Sequence, residues 1–244
     1  MKTEERVETK SSRGSVQDKV LAGLRYGLMS GLFVPGQVFS LRKLAANFGT
    51  SAMPVRESLS RLIAANALEE LPNRSVRVPR LSAQSLEELF ELRVRVEGMA
   101  ARIAATRITD EELRKLVEIN QTVKDAHDSG AMGEVLKANQ SFHFALYRLT
   151  RSTVLLPIIE GLWLRCGPTM YFSLSSPGIW DNSSHLDMLT ALERRDPDAT
   201  EAAMGRDIMK TGNYLIQQSR SGVKTGPIAE LSFSFDGEEH PLAL

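Results

Sequence analysis

The chain has 244 residues, 42% hydrophobic and 6% aromatic, enough for one large or two ordinary domains with real cores. A single cysteine, Cys166, excludes an internal disulfide; no apolar run nears the roughly 20 residues that span a bilayer, and the polar opening MKTEERVETKSSRGS lacks a secretory apolar core, so a cytoplasmic protein is expected. The net charge of zero hides a division, because residues 1–80 hold 13 basic and 7 acidic side chains and the remainder 17 and 23. A basic end on an acidic body fits nucleic-acid contact confined to that end, although chance segregation of surface charge gives the same count.

Residues 1–14 are polar and are expected to form a mobile arm. From Val16 the apolar positions Val16, Val20, Leu21, Leu24 and Leu28 recur at helical spacing, and Gly31 and Pro35-Gly36 stop that helix. A short helix follows, with Ser40 as N-cap and Leu41, Leu44, Ala45 and Phe48 on one face. Ser51 is placed to cap a third helix, which tolerates Pro54 in its first turn and turns Val55, Leu59, Leu62 and Ile63 inward. Between Leu68 and Val78 the period shortens to that of two strands around a polar tip. Beyond Arg80 the pattern is helical, with helices expected near 83–106, 110–128, 131–150, 153–172, 181–194 and 197–219. Thr109 with Glu112 forms a capping box, and Asp196 precedes Pro197 at a first helical position. The tail 220–244 is expected to be disordered, unless Leu231, Phe233 and Phe235 pack as a strand.

Three short helices and a hairpin in the basic third make a winged helix-turn-helix, whose third helix enters a major groove. Arg42, Arg56, Arg74 and Arg77 are the candidate phosphate contacts, though each alone is equally an ordinary solvated arginine. The run GLFVPGQVFSLRKLAANFGTSAMPVRESLSRLIAANALEELPNRSVRV resembles the DNA-binding domain of GntR-type regulators. The resemblance rests on Pro35-Gly36, Leu44-Ala45, Pro54-Val55-Arg56-Glu57, Leu59 and Arg61-Leu62. It implies operator contacts from Arg42, Ser51 and Arg56, with Ala52, Met53 and Arg74 close by. Ala52 stands where many relatives carry a guanine-reading arginine, and Ser75 replaces the usual wing-tip glycine.

The helical block resembles the FCD domain of the FadR-like subgroup, through Glu91-Leu92-Arg93 with Glu97, then ANQSFHFALYRLT and HLDMLTALERRDPDATEAAM. Asn139 and His143 are four apart and share a helix face. The resemblance implies a divalent metal there, with His185 as a further ligand and Asp207 where a histidine is expected. Two imidazoles with one or two oxygens suit zinc, nickel or manganese, and equally the histidines serve as hydrogen-bonding groups of a polar pocket. Arg93 is the candidate for gripping the carboxylate of a small organic acid, or else pairs with Glu97 as a helix salt bridge. Leu162, Trp163, Met170, Tyr171 and Trp180 are expected as core or cavity wall, and His127 and His240 as surface groups.

The expected protein is a mainly α-helical homodimeric transcription regulator, a repressor in the commoner design, with residues 15–80 reading DNA and residues 81–219 binding an effector. Two rivals are a metal-dependent helical-bundle enzyme carrying a DNA-binding module and a dimeric DNA-binding protein that senses nothing. Against catalysis, the chain has no Gly-rich phosphate loop and no HExxH motif.

Overall fold

The computed structural model describes residues 4–222, with side chains from Val16 onward. His240 and the expected tail beyond Gly222 lie outside the described residues. The elements in chain order are α1 (Glu4–Met29), β1 (Val38–Phe39), α2 (Leu41–Asn47), α3 (Ala52–Ala64), β2 (Glu69–Glu70), β3 (Val76–Arg77) and α4 (Ala83–Arg107). There follow α5 (Asp110–Asp128), α6 (Met132–Arg148), α7 (Leu155–Cys166), α8 (Met170–Leu174), α9 (Ser183–Glu193) and α10 (Pro197–Arg220).

The backbone of α1 is helical from Glu4, through most of the stretch expected as an arm. That stretch is rich in Glu, Lys and Arg and holds no proline, so its local preference does not oppose a helix. Farther along α1, Val20, Leu24 and Leu28 are buried against α3, whose own Val55, Leu59 and Leu62 are 2% exposed or less. Full burial of each such side chain is worth about 1.5–3 kcal/mol. Ser58 fastens α3 from within, its hydroxyl donating to the Pro54 carbonyl at 2.8 Å and reaching the Gln17 carbonyl of α1 at 3.4 Å.

The wing is a three-stranded sheet in the order β1-β3-β2, all antiparallel, where the sequence predicts a two-stranded hairpin. Val38 pairs with Arg77 and Phe39 with Val76, while Glu69 and Glu70 face the same two residues from the other side. Two residues are too few for β1 to show a period of its own. Hydrogen bonds from Gly36 N to the Val78 carbonyl and from Val78 N to the Gln37 carbonyl, both 2.9 Å, extend the pairing.

In the helical body α4 and α10 pack along their length, with α5 to α9 gathered beside them. The capping box of Thr109 and Glu112 forms as expected, and Asp196 accepts from Ala199 N at 3.0 Å. The helix expected over 153–172 is instead broken into α7, a 3₁₀ turn (Gly167–Thr169) and α8. Pro168 lacks the N–H that an unbroken helix would use. Gly167 lies so close to α1 that a Cβ there would stand 2.4 Å from the Leu28 carbonyl oxygen. Gly31, at φ +79°, faces it, and a Cβ there would stand 2.8 Å from the Gly167 carbonyl oxygen. This glycine seam and the Arg25–Glu160 ion pair at 2.5 Å join α1 to the body.

Candidate nucleic-acid interface and candidate metal centre

The outer side of α3 starts at Ser51, and Ser51, Ala52, Met53 and Arg56 are all exposed, Met53 by 61%. Ser51 occupies the N-cap position but its hydroxyl makes no cap bond, contrary to expectation. The third helical position is Pro54, which has no N–H for a capping oxygen to accept. Ser40, by contrast, accepts from Lys43 N at 3.4 Å. Arg42 is exposed on α2. Arg56 and Arg74 line one hollow between α3 and the wing, with Leu41, Ser60 and Glu70. At the wing tip Arg74 adopts φ +61°, while Asn73 Oδ1 accepts from Ser75 N at 3.1 Å and from Ser75 Oγ at 2.7 Å. An Asn-centred turn thus does the work expected of a glycine at 75. Arg77 stands apart from the other arginines, since its guanidinium is held by Glu69 across the sheet at 2.7–2.8 Å.

In the body, His143 of α6, His185 of α9 and Asp207 of α10 bring one donor atom each to within 4.8 Å of one another. His143 Nε2 lies 3.4 Å from Asp207 Oδ2. Asn139, one turn before His143, lines the same cavity, as do His185, Asp207 and Arg93. The ring nitrogens on the far side are already engaged. His185 Nδ1 meets Asn120 Oδ1 at 2.9 Å, and His143 Nδ1 meets the Tyr147 hydroxyl at 3.2 Å.

Tyr147 decides the His143 tautomer. Its hydroxyl proton is given to Glu97 Oε2, so its oxygen is left to accept, and His143 Nδ1 must be the donor. The Nε2 lone pair of His143 then faces Asp207. Asn120 Oδ1 is an acceptor, so His185 likewise carries its proton on Nδ1 and has its Nε2 lone pair free. Burial, with His185 and Arg93 nearby, pushes the His143 pKa well down, and burial takes that of His185 to about 3. Both rings are therefore neutral at pH 7, the form that ligates metals. Burial raises Asp207 to about 7, opposed by Arg93 and aided by Glu97. Two imidazole nitrogens and a carboxylate fit a borderline divalent ion, with Nδ1 partners of the kind that orient metal-binding histidines. Metal–ligand distances of about 2 Å would draw the three donors closer than they stand.

Arg93, the expected effector grip, is committed elsewhere. Its Nε donates to Glu97 Oε1 at 2.6 Å and its Nη2 to Glu97 Oε2 at 3.1 Å. The pair is 3% and 0% exposed, and the guanidinium also lies 4.9 Å from the Trp163 ring centre and 5.1 Å from that of Phe90. Trp163 Nε1 donates to Glu97 as well, at 3.1 Å. Burial acts to lower the Arg93 pKa, but Cys166 and Glu97 beside it outweigh that and raise it. Tyr147 lies four residues after His143, a spacing that marks it in the sequence; Asn120, from α5, has no such local signal.

The enclosed space left in the cavity is about 30 Å³, enough to hold water. Its mouth is formed by the segment leading into α9 and by α10, through Trp180, Asp181, Asn182 and Lys210. Trp180 lies over His127 with ring centres 4.1 Å apart and planes tilted by 30°, so His127, expected as a surface group, is half-buried against this segment.

Known proteins match the same two regions. Residues 16–78 fit the bacterial regulatory proteins of the gntR family, and residues 88–209 fit the FCD domain. The chain belongs to the GntR family. The HTH-type transcriptional regulator McbR of Escherichia coli strain K12 is 28% identical to it, over 80% of this chain and 90% of McbR. The HTH-type transcriptional repressor RspR of the same strain is 25% identical over 83% and 90%. The solved structure of E. coli McbR/YncC matches with a TM-score of 0.76 at 27% identity, covering 83% of this chain and 98% of that one. The GntR protein described here is thus a DNA-binding transcription regulator with an FCD effector-binding domain, and not an enzyme. Among its described residues no helix is long and apolar enough to cross a membrane.

Proposed function

We propose that a homodimer of this regulator represses transcription by setting its two α3 helices into neighbouring major grooves of a pseudo-palindromic operator. Residues 15–80 form the reading unit and residues 81–219 the sensing unit. The observation that carries the DNA-reading half is the division of α3 into two faces. Val55, Leu59 and Leu62 are buried on one, and Ser51, Ala52, Met53 and Arg56 are exposed on the other. Arg42 and Arg74 add phosphate contacts on either side, and Arg77, tied to Glu69, contributes least. The name of the relative RspR supports repression.

The sensing half takes a small carboxylate at the polar cavity. His143, His185 and Asp207, with Asn139 beside them, would hold a zinc, nickel or manganese ion, which when bound supplies a Lewis-acidic attachment for a carboxylate. Arg93 then acts as a fixed positive charge behind the cavity, its fork held by Glu97. Met170 and Leu174 line the cavity just beyond the Gly31–Gly167 seam, so a ligand that shifts α8 bears on α1 and on the α3 packed against it. A difference of about 1–3 kcal/mol in ligand affinity between two headpiece placements changes operator occupancy about 5- to 150-fold.

The test begins with selection of operator sequences by the full chain, followed by titration across about 50–200 mM salt. Arg56→Ala should weaken binding by about 1–3 kcal/mol or flatten the salt slope by about one, according to whether it meets a base or a phosphate. An unchanged titration removes α3 from the groove. A thermal-shift screen of small carboxylates, with and without chelator, tests the sensing half; a ligand at 100 times its Kd adds about 2.7 kcal/mol. If chelator alters neither melting nor ligand response, the metal assignment fails.

A further inference from the structure

The cavity mouth carries a second constellation, three to four residues in sequence from His185 and Asp207. Lys210 Nζ binds Asp181 Oδ1 at 2.7 Å, and both side chains line the cavity. They are 32% and 54% exposed, in contrast to the sealed Arg93–Glu97 pair. Asp181 does not depend on Lys210 alone, because it also accepts from Ser183 N at 3.1 Å and Ser183 Oγ at 2.6 Å. It can therefore release the lysine and remain hydrogen-bonded. Beside it, Asn182 also lines the cavity, held at φ +61° at the start of α9. Its Oδ1 is the one buried side-chain oxygen or nitrogen among the described residues that has no hydrogen-bond partner. An unsatisfied buried acceptor is costly, and what it lacks is a donor.

We infer that the effector is a small carboxylic acid that also bears a hydroxyl or ammonium group, its carboxylate taking Lys210 from Asp181 and its donor satisfying Asn182 Oδ1. The inference rests on the effector reading given above and sharpens it. With the Arg93 fork spent on Glu97, Lys210 is the cavity cation whose present partner is exposed and replaceable. Ion-pair exchange keeps Lys210 paired, and the released Asp181, half exposed, keeps its two hydrogen bonds from Ser183. A plain acid of the same length would bind Lys210 and still leave Asn182 unsatisfied, so the donor is the feature that confers selectivity.

The experiment is calorimetric titration of the full-length, metal-loaded protein with matched acids that differ only by the donor: malate and succinate, lactate and propionate, alanine and propionate. In the native protein the donor-bearing member should bind at least about tenfold tighter in one or more pairs. Asn182→Gly, which suits the positive φ, should bring the two members to within about twofold of each other. Asn182→Asp, which keeps an acceptor oxygen, should preserve the preference and serves if the glycine variant does not fold. Lys210→Gln should weaken both members alike, by about tenfold or more. Equal affinity within every pair of the native protein overturns the inference and leaves the effector site standing. A preference that survives Asn182→Gly, or affinities untouched by Lys210→Gln, also overturns it. If no acid of the panel binds, the effector reading falls along with the inference.

Discussion

On the headpiece, Arg42, Met53, Arg56 and Arg74 stand in solvent, while Val55, Leu59 and Leu62 beneath them hold the fold. In the helical body, Arg93, Glu97, Tyr147, Trp163 and His143 are each 3% exposed or less and share one another's hydrogen bonds. The proposed function and the stability are carried by separate residues in the first region, whereas in the second the proposed site is built on the residues that hold the fold. The chemistry of the targets explains the contrast. A duplex is met at an open surface by charges that remain hydrated until contact, and its affinity comes from released counterions. A small ligand or an ion is met by groups whose orientation must be fixed beforehand, which requires burial and complete hydrogen bonding.

The sharpest way to break this comparison is Glu97→Ala. It leaves the Arg93 charge buried and unpaired and removes the acceptor of Tyr147 and Trp163, so about 3–5 kcal/mol of stability should be lost in urea melts. Arg56→Ala in the same assay should change stability by less than about 0.5 kcal/mol. Similar losses in the two variants would erase the distinction between the regions.

Tyr147→Phe comes next, because it keeps the ring but leaves His143 Nδ1 without its acceptor. Zinc or cobalt affinity, measured by competition with a chromophoric chelator, should fall about 10- to 100-fold. No change would mean that His143 keeps its tautomer without help.

A smaller effect is expected from pH in metal-free buffer. His143 and His185 have folded pKa values below the ordinary 6.5, so below that pH the unfolded chain takes up two protons that the native rings refuse. Their contribution is complete above pH 6.5 and is lost as pH falls. Asp207, raised from 3.8 to about 7, acts in the opposite sense, since between those values the native form holds a proton that the unfolded form lacks. The net difference is one proton, a loss of about 1.4 kcal/mol per pH unit between about pH 6 and 4. Asp207→Asn removes the opposing group and should roughly double that slope; urea melts across the range would show whether it does.

The smallest effect belongs to Arg77→Ala. Its pair with Glu69 is about one-third exposed, so less than about 1 kcal/mol of stability is at stake. The operator salt slope should flatten less than it does for Arg56→Ala, and an equal change would show that Arg77 exchanges Glu69 for a phosphate.

The headpiece was legible because its determinants are local. Helical spacing from Val20 to Leu28, the Pro35-Gly36 stop and the run from Pro54 to Leu62 each act within a few turns of chain. Even the failure of Ser51 as a cap has a local cause, the proline three residues on. The body was legible in its helices and caps, and in Asn139 and His143, which share a face because four residues separate them. Gly167-Pro168 could have warned that the helix after 153 would break.

The order of these elements, their apolar faces and the chemical types of Arg93, His143, His185 and Asp207 were fixed by the amino-acid sequence, because backbone preference and side-chain periodicity are short-range properties. Only the tertiary structure decided the partners: that the Arg93 fork belongs to Glu97, that Tyr147 and Asn120 set the two imidazoles, and that Lys210 meets Asp181. Arg93–Glu97 and Tyr147–His143 lie within single helices but are set by what packs around them, whereas His185–Asn120 and Lys210–Asp181 join distant segments. How helices pack is decided by the whole buried core rather than by any one stretch of chain.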